Sequence, residues 1–322
     1  MHRVQLIEIH DQAWFPSFLR DQVTDDLQVL LNIGKPYADI VPQLREGIER
    51  SGADRVLDLC SGAGGPWPWL AEALGQKGLR IRVELSDKYP NVSARRRVQG
   101  NSANLHYRDE IVDATRVPRE VPGFRTLFTS FHHFPPEQAR EILRDAVASR
   151  QGVGIFEIPG RRPLTLLLLP LVLIADIVLV PFLRPRTLAR AAWRLVWRWL
   201  IPIVPLVLIF DGIVSCLRAY SPRELRELTS GLAESGYQWE IGCAKHGFLR
   251  LPITFLVGYP SLRLQTTQTA DSSSPQKARF APRNDNSAAA ARLQAQRADF
   301  AARSAKTSRA AYKPLSAAGK PV

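Results

Sequence analysis

The residues with the clearest chemical potential are two acids and a glycine-rich loop. Asp58 ends an apolar run, and Cys60-Ser61-Gly62-Ala63-Gly64-Gly65 follows it closely. Glycine lets the backbone turn sharply and approach a ligand closely. Asp87 ends a second run, in which apolar and polar residues alternate, and a carboxylate there can accept hydrogen bonds from both hydroxyls of a ribose. The pattern predicts a site for a nucleotide-like ligand, although an ordinary tight turn would also explain the glycines.

Apolar segments that alternate with helix-like segments must position these residues. The apolar segments end near Asp58, Asp87, Asp113, Ser130 and Ile158. Short apolar runs of this kind are typical of buried parallel strands. In an open α/β sheet, ligands bind outside the carboxyl ends of the strands. We therefore predict an α/β fold in which these polar residues meet at one edge of a parallel sheet.

In their order along the chain, these motifs resemble those of the class I S-adenosylmethionine-dependent methyltransferases. The matching elements are Asp58 to Gly64, Asp87, Asp113-Ala114, and the strand that ends at Ser130-Phe131. The resemblance covers about residues 40–160 and resumes at about 211–260. It implies a Rossmann-like, seven-stranded, mostly parallel sheet with helices on both faces and an antiparallel last strand. It also implies helices before the first strand that fold over the cofactor.

Two details of the glycine loop bear on this resemblance. Cys60 stands where the family has its first glycine, and a small residue can fill that place. The dinucleotide-binding pattern Gly-x-Gly-x-x-Gly, started at Gly62, would need glycine at position 67, where the chain has Trp67. The loop therefore fits the methyltransferase pattern better than the dinucleotide pattern.

The resemblance implies S-adenosyl-L-methionine as the cofactor and gives its binding residues. Asp58 would orient the methionine end, the loop backbone would approach it, and Asp87 would hold the ribose. Asp113 and Ala114 would lie beside the adenine. The complete predicted set is Asp58, Cys60, Gly62, Ala63, Gly64, Asp87, Asp113, Ala114 and Ser130.

His132 and His133 follow the fourth predicted strand, where the family faces the transferred methyl group. A weak oxygen or carbon nucleophile needs a general base, and histidine titrates near neutral pH. Adjacent residues of an extended chain point to opposite sides, so we predict that one of the two is the catalytic base. A structural role for both is the alternative. Asn-Pro-Pro-Tyr, found here in amide- and nucleobase-methylating members, is missing from the sequence, which favours O- or C-methylation of a small molecule.

The net charge of +13 is concentrated in two regions. Residues 261–322 contain eleven Lys or Arg against three Asp, and residues 161–198 contain seven Arg against one Asp. The remainder is nearly neutral, whereas a nucleic-acid enzyme more often carries a basic face on its folded domain. We therefore expect no nucleic-acid partner. Cys60, Cys216 and Cys243 are far apart, so they predict neither a disulfide framework nor a metal site, and they indicate a reducing compartment.

Residues 163–210 form an insertion that a minimal methyltransferase domain lacks. Leu164 to Leu183 is apolar except for Thr165 and Asp176, and its length would about match the hydrocarbon core if it were fully helical. An arginine- and tryptophan-rich stretch follows, and Leu200 to Phe210 is apolar again. We predict a hydrophobic helical hairpin that lies in one leaflet, on the cytoplasmic face of a membrane of the bacterial inner-membrane type. A two-span hairpin and a soluble lid are the alternatives.

Four regions follow from these observations. They are an N-terminal helical cap (1–50), a methyltransferase domain (51–162 and 211–260), the membrane-associated insertion (163–210) and a disordered basic tail (261–322). Asp211-Gly212 is predicted to break the chain where the domain resumes, and Ser221 with Glu224 predicts a capped helix. The predicted function is membrane-associated methyl transfer to O or C of a hydrophobic or lipid-like small molecule. A soluble-substrate methyltransferase and a non-catalytic membrane-bound protein that retains the fold are the alternatives.

Overall fold

A seven-stranded sheet forms the centre of the computed structural model. The structure describes residues 2–101, 104–158, 160–163, 165–167, 169–171, 174, 178, 200–232, 236–247 and 250–261. The strands are β1 (Arg55–Asp58), β2 (Arg82–Leu85), β3 (Leu105–Tyr107), β4 (Phe124–Phe128), β5 (Val153–Glu157), β6 (Tyr237–His246) and β7 (Leu251–Pro260). Their order is β3-β2-β1-β4-β5-β7-β6. β7 is antiparallel to β5 and β6, and the other pairs are parallel. The predicted Rossmann-like sheet is confirmed.

The described residues include seven helices with defined bounds, and several of them cover the two faces of this sheet. They are α1 (Ser17–Gly34), α2 (Val41–Ser51), α3 (Trp67–Gln76), α4 (Val92–Asn101), α5 (Pro136–Ala148), α6 (Ile203–Arg218) and α7 (Pro222–Thr229). Apolar residues of α2 and α3 pack in one core, and those of α5 and α7 pack in the other. α7 begins with the predicted capping box, in which Ser221 and Glu224 satisfy each other's backbone N–H groups.

The central strands β4 and β5 are buried along their whole length. Strands covered on both faces are mostly apolar rather than alternating, and the polar residues within β4 are paired: Arg125 contacts Asp145 at 2.5 Å, and Thr126 donates to Asp58 at 2.6 Å. Gly154 makes room within this layer, because a Cβ there would lie 2.9 Å from the rings of both Phe124 and Phe156. The polar residues at the carboxyl ends of these strands therefore rest on a closely packed support.

α6 runs through the position at which the sequence predicts a break in the chain. The expected break at Asp211-Gly212 is wrong, because one helix runs from Ile203 to Arg218. The Asp211 carboxylate accepts a hydrogen bond from the Ile9 N–H at 2.6 Å instead of ending its own helix. Gly212 admits the side chain of Leu169, which would lie 3.1 Å from a Cβ at this position. Asp211 and Gly212, which are common in turns, therefore lie inside a helix here and make tertiary contacts with other segments.

The insertion is described only in part. Its described residues between Pro163 and Val178 are helical. Residues 179–199, which include the whole arginine- and tryptophan-rich stretch, lie outside the described residues, as do residues 262–322. The helical hairpin and the disordered tail therefore stay predictions. Within the described part of the chain, no single helix has the length and hydropathy needed to cross a bilayer, whereas α6 and α7 together, bent by 60°, meet that test by length and composition.

Candidate functional site

The glycine-rich loop lies between β1 and α3, beneath α1. Gly62, Gly64 and Gly65 all have positive φ angles, of 51°, 106° and 47°, which glycine adopts without steric cost. α1 crosses the loop closely: a Cβ at Gly62 would lie 3.5 Å from Thr24, and one at Gly64 would lie 3.1 Å from Gln28. Glycine therefore suits all three positions by its φ angles, and Gly64 also by the limited space that Gln28 leaves.

Cys60 occupies the family's first glycine position with a φ of 56°. A residue with a Cβ is strained in this left-handed region by about 1–2 kcal/mol. We expect Cys60→Gly to raise the free energy of unfolding by about 1 kcal/mol, since the relief of strain exceeds the added flexibility of the unfolded chain. Chemical denaturation measures this change. Cys60→Ala keeps the Cβ and serves as the control, so an equal gain from both variants would show that strain is not the cause.

Asp58 holds the start of the loop together. Its Oδ1 accepts a hydrogen bond from Thr126 Oγ1 at 2.6 Å, and its Oδ2 accepts one from Ser61 Oγ at 2.7 Å. Ser86 Oγ donates to its carbonyl oxygen at 2.8 Å. Burial raises the pKa of Asp58 to about 6, although the hydrogen bonds from Ser61 and Thr126 favour the charged form. The sequence analysis missed these three hydroxyl residues, which the sheet brings together from separate segments.

Asp87 connects the end of β2 to the glycine loop. Its Oδ2 accepts a hydrogen bond from the Gly62 N–H at 2.7 Å, and its Oδ1 accepts one from the Tyr89 N–H at 2.7 Å. Tyr107 Oη donates to the Gly62 carbonyl at 2.8 Å. Burial raises the pKa of Asp87. A carboxylate has about four acceptor positions, so Asp87 retains capacity for ribose hydroxyls after these two bonds.

Asp113, Ala114 and Ser130 lie at the same edge of the sheet. The Val112 N–H donates to the Asp87 carbonyl at 3.2 Å, which ties the segment of Asp113 to the end of β2. Asp113 contacts Lys88 Nζ at 2.9 Å and is partly exposed, whereas Ala114 is buried. Ser130 Oγ is buried and has no hydrogen-bond partner among the described residues. Together with Asp87, these groups fit the polar edge of an adenosine-containing cofactor.

His132 and His133 lie in a 3-10 turn, Phe131–His133, directly after β4. Their rings stack with centroids 4.4 Å apart, so the two side chains do not point to opposite sides as expected for an extended chain. A 3-10 turn, unlike an extended chain, does not direct adjacent side chains to opposite sides. His132 Nδ1 is 2.6 Å from Glu157 Oε2, and its Nε2 is 3.4 Å from Glu8 Oε1. His133 Nδ1 bonds to Asp11 and is 3.6 Å from Glu8 Oε2.

The N-terminal segment and α6 complete this cluster. Asp211 Oδ2 is 2.7 Å from His10 Nδ1. Arg218 Nη1 is 3.2 Å from Glu8 Oε1, and its Nε donates to the His132 carbonyl at 3.1 Å. Glu8, His132 and Glu157 are each only 1% exposed, and Asp211 and Arg218 are each 4% exposed. The two predicted catalytic residues therefore belong to a buried network of acids, imidazoles and a guanidinium.

The network shifts the pKa values of its members strongly. Burial alone would raise the pKa of Glu8, but the imidazoles of His133 and His132 outweigh it and lower the pKa to about 2. Burial would lower the pKa of His132, but Glu157 and Glu8 raise it to about 10. With only protein charges around it, His132 is thus protonated at neutral pH and has no lone pair to accept a proton. Of the two predicted bases, His133 is the better placed.

The sequence analysis missed Glu8, His10, Asp11, Glu157, Asp211 and Arg218. Weak signals for some of them exist. Glu157 ends a strand that is otherwise apolar, and Asp211 and Arg218 lie seven positions apart on an apolar helix. That spacing is close to two helical turns and places both residues on one face. The signals become informative only when the partner segments are known.

Comparisons with known proteins agree with the fold. No protein-family model matches the sequence, and no curated protein sequence matches it. The plantazolicin methyltransferase BpumL, solved in complex with SAH, is 9% identical, with a TM-score of 0.51 over 78% of this chain and 94% of that chain. The fold of this protein is that of the class I S-adenosylmethionine-dependent methyltransferases.

Two further solved structures have lower TM-scores. Human N-acetylserotonin methyltransferase, in complex with SAM, is 11% identical with a TM-score of 0.41, over 74% of this chain and 56% of that chain. An O-methyltransferase from neocarzinostatin biosynthesis is 15% identical with a TM-score of 0.43, over 76% of this chain and 58% of that chain. This chain therefore spans little more than half the length of either enzyme.

Proposed function

We propose that this protein is an S-adenosylmethionine-dependent methyltransferase. The observation that carries the proposal is the convergence of the Gly62–Gly64 loop, Asp87 and Asp113 at the carboxyl edge of the sheet. Asp87 would bind the ribose, Asp113 and Ala114 would border the adenine, and the loop held by Asp58 would receive the methionine end. The bound cofactor supplies an electrophilic methyl group. The plantazolicin methyltransferase with the same fold was solved with SAH, which supports this choice of cofactor.

The acceptor side of the site would lie at the ends of β4 and β5. Ser130, His132 and Glu157 are located there. The Glu157 carboxylate accepts hydrogen bonds from the backbone N–H groups of Ser130 and Phe131 at 3.0 and 2.7 Å. The catalytic contribution of the chain would be to align the acceptor with the methyl group and to exclude water, since alignment is the main requirement of a displacement reaction. We propose methylation of O or C in a hydrophobic small molecule rather than in a nucleic acid.

Cofactor binding by Asp87→Ala tests the proposal. We expect this change to weaken the binding of S-adenosylhomocysteine by about 10–100-fold, because loss of a hydrogen bond to a charged group costs about 1.5–3 kcal/mol. Isothermal titration measures the affinity. Asp54→Ala removes a carboxylate that is 78% exposed, just before β1 at the opposite edge of the sheet, and is the matched control. Unchanged affinity in Asp87→Ala would contradict the assignment.

We also propose that an apolar face attaches the protein to a membrane. We define the apolar face as Leu206, Phe210 and Ile213 of α6 together with Leu167, Leu171, Ile174 and Val178 of the insertion. All seven side chains are at least 40% exposed. Their spacing, three or four residues apart within each segment, places them on one side of a helix. The contact of Leu169 with Gly212 joins the two segments.

α6 would connect this surface to the reaction site. Its other side buries Val204 and Val207 against Phe15 and Leu19. Asp211 and Arg218, also on α6, contact the N-terminal segment and the histidine turn. A lipid-like acceptor bound at the apolar face would thus be close to the helix that shapes the acceptor side. We propose the cytoplasmic face of a membrane as the location and a hydrophobic or lipid-like molecule as the acceptor.

A further inference from the structure

Five side chains with metal-binding atoms converge beside the end of β4. The donor atoms of Glu8, His132 and His133 all lie within 4.8 Å of one another. Those of His10, Asp11 and His133 meet the same limit, so the two groups share His133. The donors come from the N-terminal segment and from the histidine turn, which are more than 100 positions apart in sequence. Folding therefore assembles a set of nitrogen and oxygen donors that neither segment contains alone.

Two of the histidines are oriented as metal ligands usually are. His132 Nδ1 is 2.6 Å from Glu157, and His10 Nδ1 is 2.7 Å from Asp211. Because a carboxylate only accepts hydrogen bonds, each Nδ1 carries a proton, and in the neutral tautomer each Nε2 has a free lone pair. Metal-binding histidines typically donate their second ring nitrogen to a carboxylate in this way. His132 Nε2 is buried and has no hydrogen-bond partner among the described residues.

The charges around this cluster also favour a cation. The carboxylates of Glu8, Glu157 and Asp211 are almost fully buried, and Asp11 lies beside them. Among these groups, the Arg218 guanidinium contacts Glu8 at 3.2 Å. Buried charge is costly unless it is compensated, and a divalent ion would offset two of these negative charges in place of the protons on the imidazoles, since histidine ligands must be deprotonated.

We propose that Glu8, His132 Nε2 and His133 Nδ1 bind one divalent transition-metal ion. The distances of 3.4 and 3.6 Å from Glu8 oxygens to these nitrogens are close to the ligand separation of about 3.4 Å in a tetrahedral site with bonds of about 2.0–2.1 Å. Imidazole with carboxylate suits zinc and iron(II) better than magnesium or calcium. Asp11 contacts the same nitrogen of His133, so without an ion this Nδ1 also carries a proton, and metal binding would displace that proton because a ligand must be deprotonated.

This inference rests on the proposed function and narrows its acceptor class. A hydroxyl group bound to such an ion has a lowered pKa and becomes a better nucleophile. The acceptor would then be a hydroxyl oxygen rather than a carbon atom. The hydroxyl would lose its proton to the Asp11 carboxylate, which lies beside His133. Its oxygen would then take the methyl group as the S–CH3 bond of the cofactor breaks and S-adenosylhomocysteine leaves.

Metal titration of the untagged, full-length protein tests the site. After treatment with EDTA, we expect the protein to bind one equivalent of Zn²⁺ in isothermal titration. We expect Co²⁺ to produce the visible absorption bands of a tetrahedral site. Glu8→Gln and His133→Gln should each weaken Zn²⁺ binding at least tenfold, and Glu157→Gln should weaken it by about 10–100-fold, as removal of an outer carboxylate usually does.

His246→Gln is the matched control, because His246 is the last residue of the edge strand β6, pairs with Asp39 and does not belong to the cluster. It should bind Zn²⁺ like the wild type. Thermal denaturation identifies any unfolded variant, and His133→Gln, whose side chain is 18% exposed, is the substitution that perturbs the core least. The inference is overturned if the wild type binds no stoichiometric Zn²⁺, or if folded variants bind it equally well.

The same samples are titrated with S-adenosylhomocysteine. If the homocysteine derivative binds and Zn²⁺ does not, the metal site is wrong and the proposed methyltransferase stands. If Zn²⁺ binds and the derivative does not, the metal site stands and the proposed function is wrong.

Discussion

Replacing Arg218 with methionine is expected to lower the free energy of unfolding by about 3–5 kcal/mol. The Arg218 guanidinium is buried beside Glu8, at 3.2 Å, and its Nε donates to the His132 carbonyl at 3.1 Å. Methionine preserves most of the volume of the side-chain stem but removes the charge. The Glu8 carboxylate would then keep only its two imidazole partners, and the carbonyls of His132 and His133 would lose the guanidinium as a hydrogen-bond donor. Removing one partner of a buried ion pair is among the most destabilising changes in a protein.

Thermal and chemical denaturation of EDTA-treated protein measure this effect. For a body of this size, about 2–4 °C of Tm corresponds to each kcal/mol, so the expected decrease in Tm is roughly 6–20 °C. Arg223→Met is the matched control, because the Arg223 side chain is 87% exposed and pairs with Glu227 one turn away. It should change stability by less than about 0.5 kcal/mol. Equal effects of the two substitutions would show that the buried network does not stabilise the fold.

The parts of the fold that could be predicted from the sequence are those with local causes. Asp58 and the glycine loop are contiguous, so their order alone indicates a strand, a turn and a helix. The φ of 56° at Cys60 shows that this position has the glycine-like conformation even though the residue differs. Asp87 was placed correctly at the loop, where it bonds to Gly62, because parallel strands bring their carboxyl ends to one edge.

The buried network could not be predicted in this way, because none of its members has a local partner that explains it. Glu8 and Arg218 are separated by 210 positions, and each resembles an ordinary surface charge when read alone. Asp211 and Gly212 resemble a turn because both residue types favour turns. In the folded chain Asp211 binds the backbone of Ile9 and Gly212 admits Leu169. Tertiary contacts override the local preference in each case.

The backbone of the histidine pair was also misjudged from the sequence. The sequence predicts an extended chain after β4. In the structure, the Glu157 carboxylate instead accepts hydrogen bonds from the backbone N–H groups of Ser130 and Phe131. These bonds end the strand and begin the 3-10 turn that stacks His132 on His133. Glu157, the hydrogen-bond acceptor, lies at the end of the neighbouring strand β5. The turn therefore depends on a pairing between two strands that are separate in sequence.

Replacing Leu206, Phe210 and Ile213 together with serine is expected to reduce membrane binding at least 100-fold. These side chains are exposed on one side of α6, and burying each of them in a bilayer would contribute up to about 1.5–3 kcal/mol. Flotation with vesicles of anionic and of neutral lipid measures the bound fraction. Binding through apolar side chains should persist at high salt, whereas any share contributed by arginines is screened.

The matched control for this triple variant is serine at Ile33, Val92 and Ile111. These residues are 56%, 56% and 66% exposed and do not belong to the apolar face, so the control removes a comparable apolar area from the surface. It should float with vesicles like the wild type, and both variants should keep the wild-type affinity for S-adenosylhomocysteine. If the wild type itself does not float, the insertion acts as a lid over a soluble acceptor. If the control loses binding as much as the α6 variant does, attachment is not specific to the apolar face, because dispersed apolar residues would then suffice.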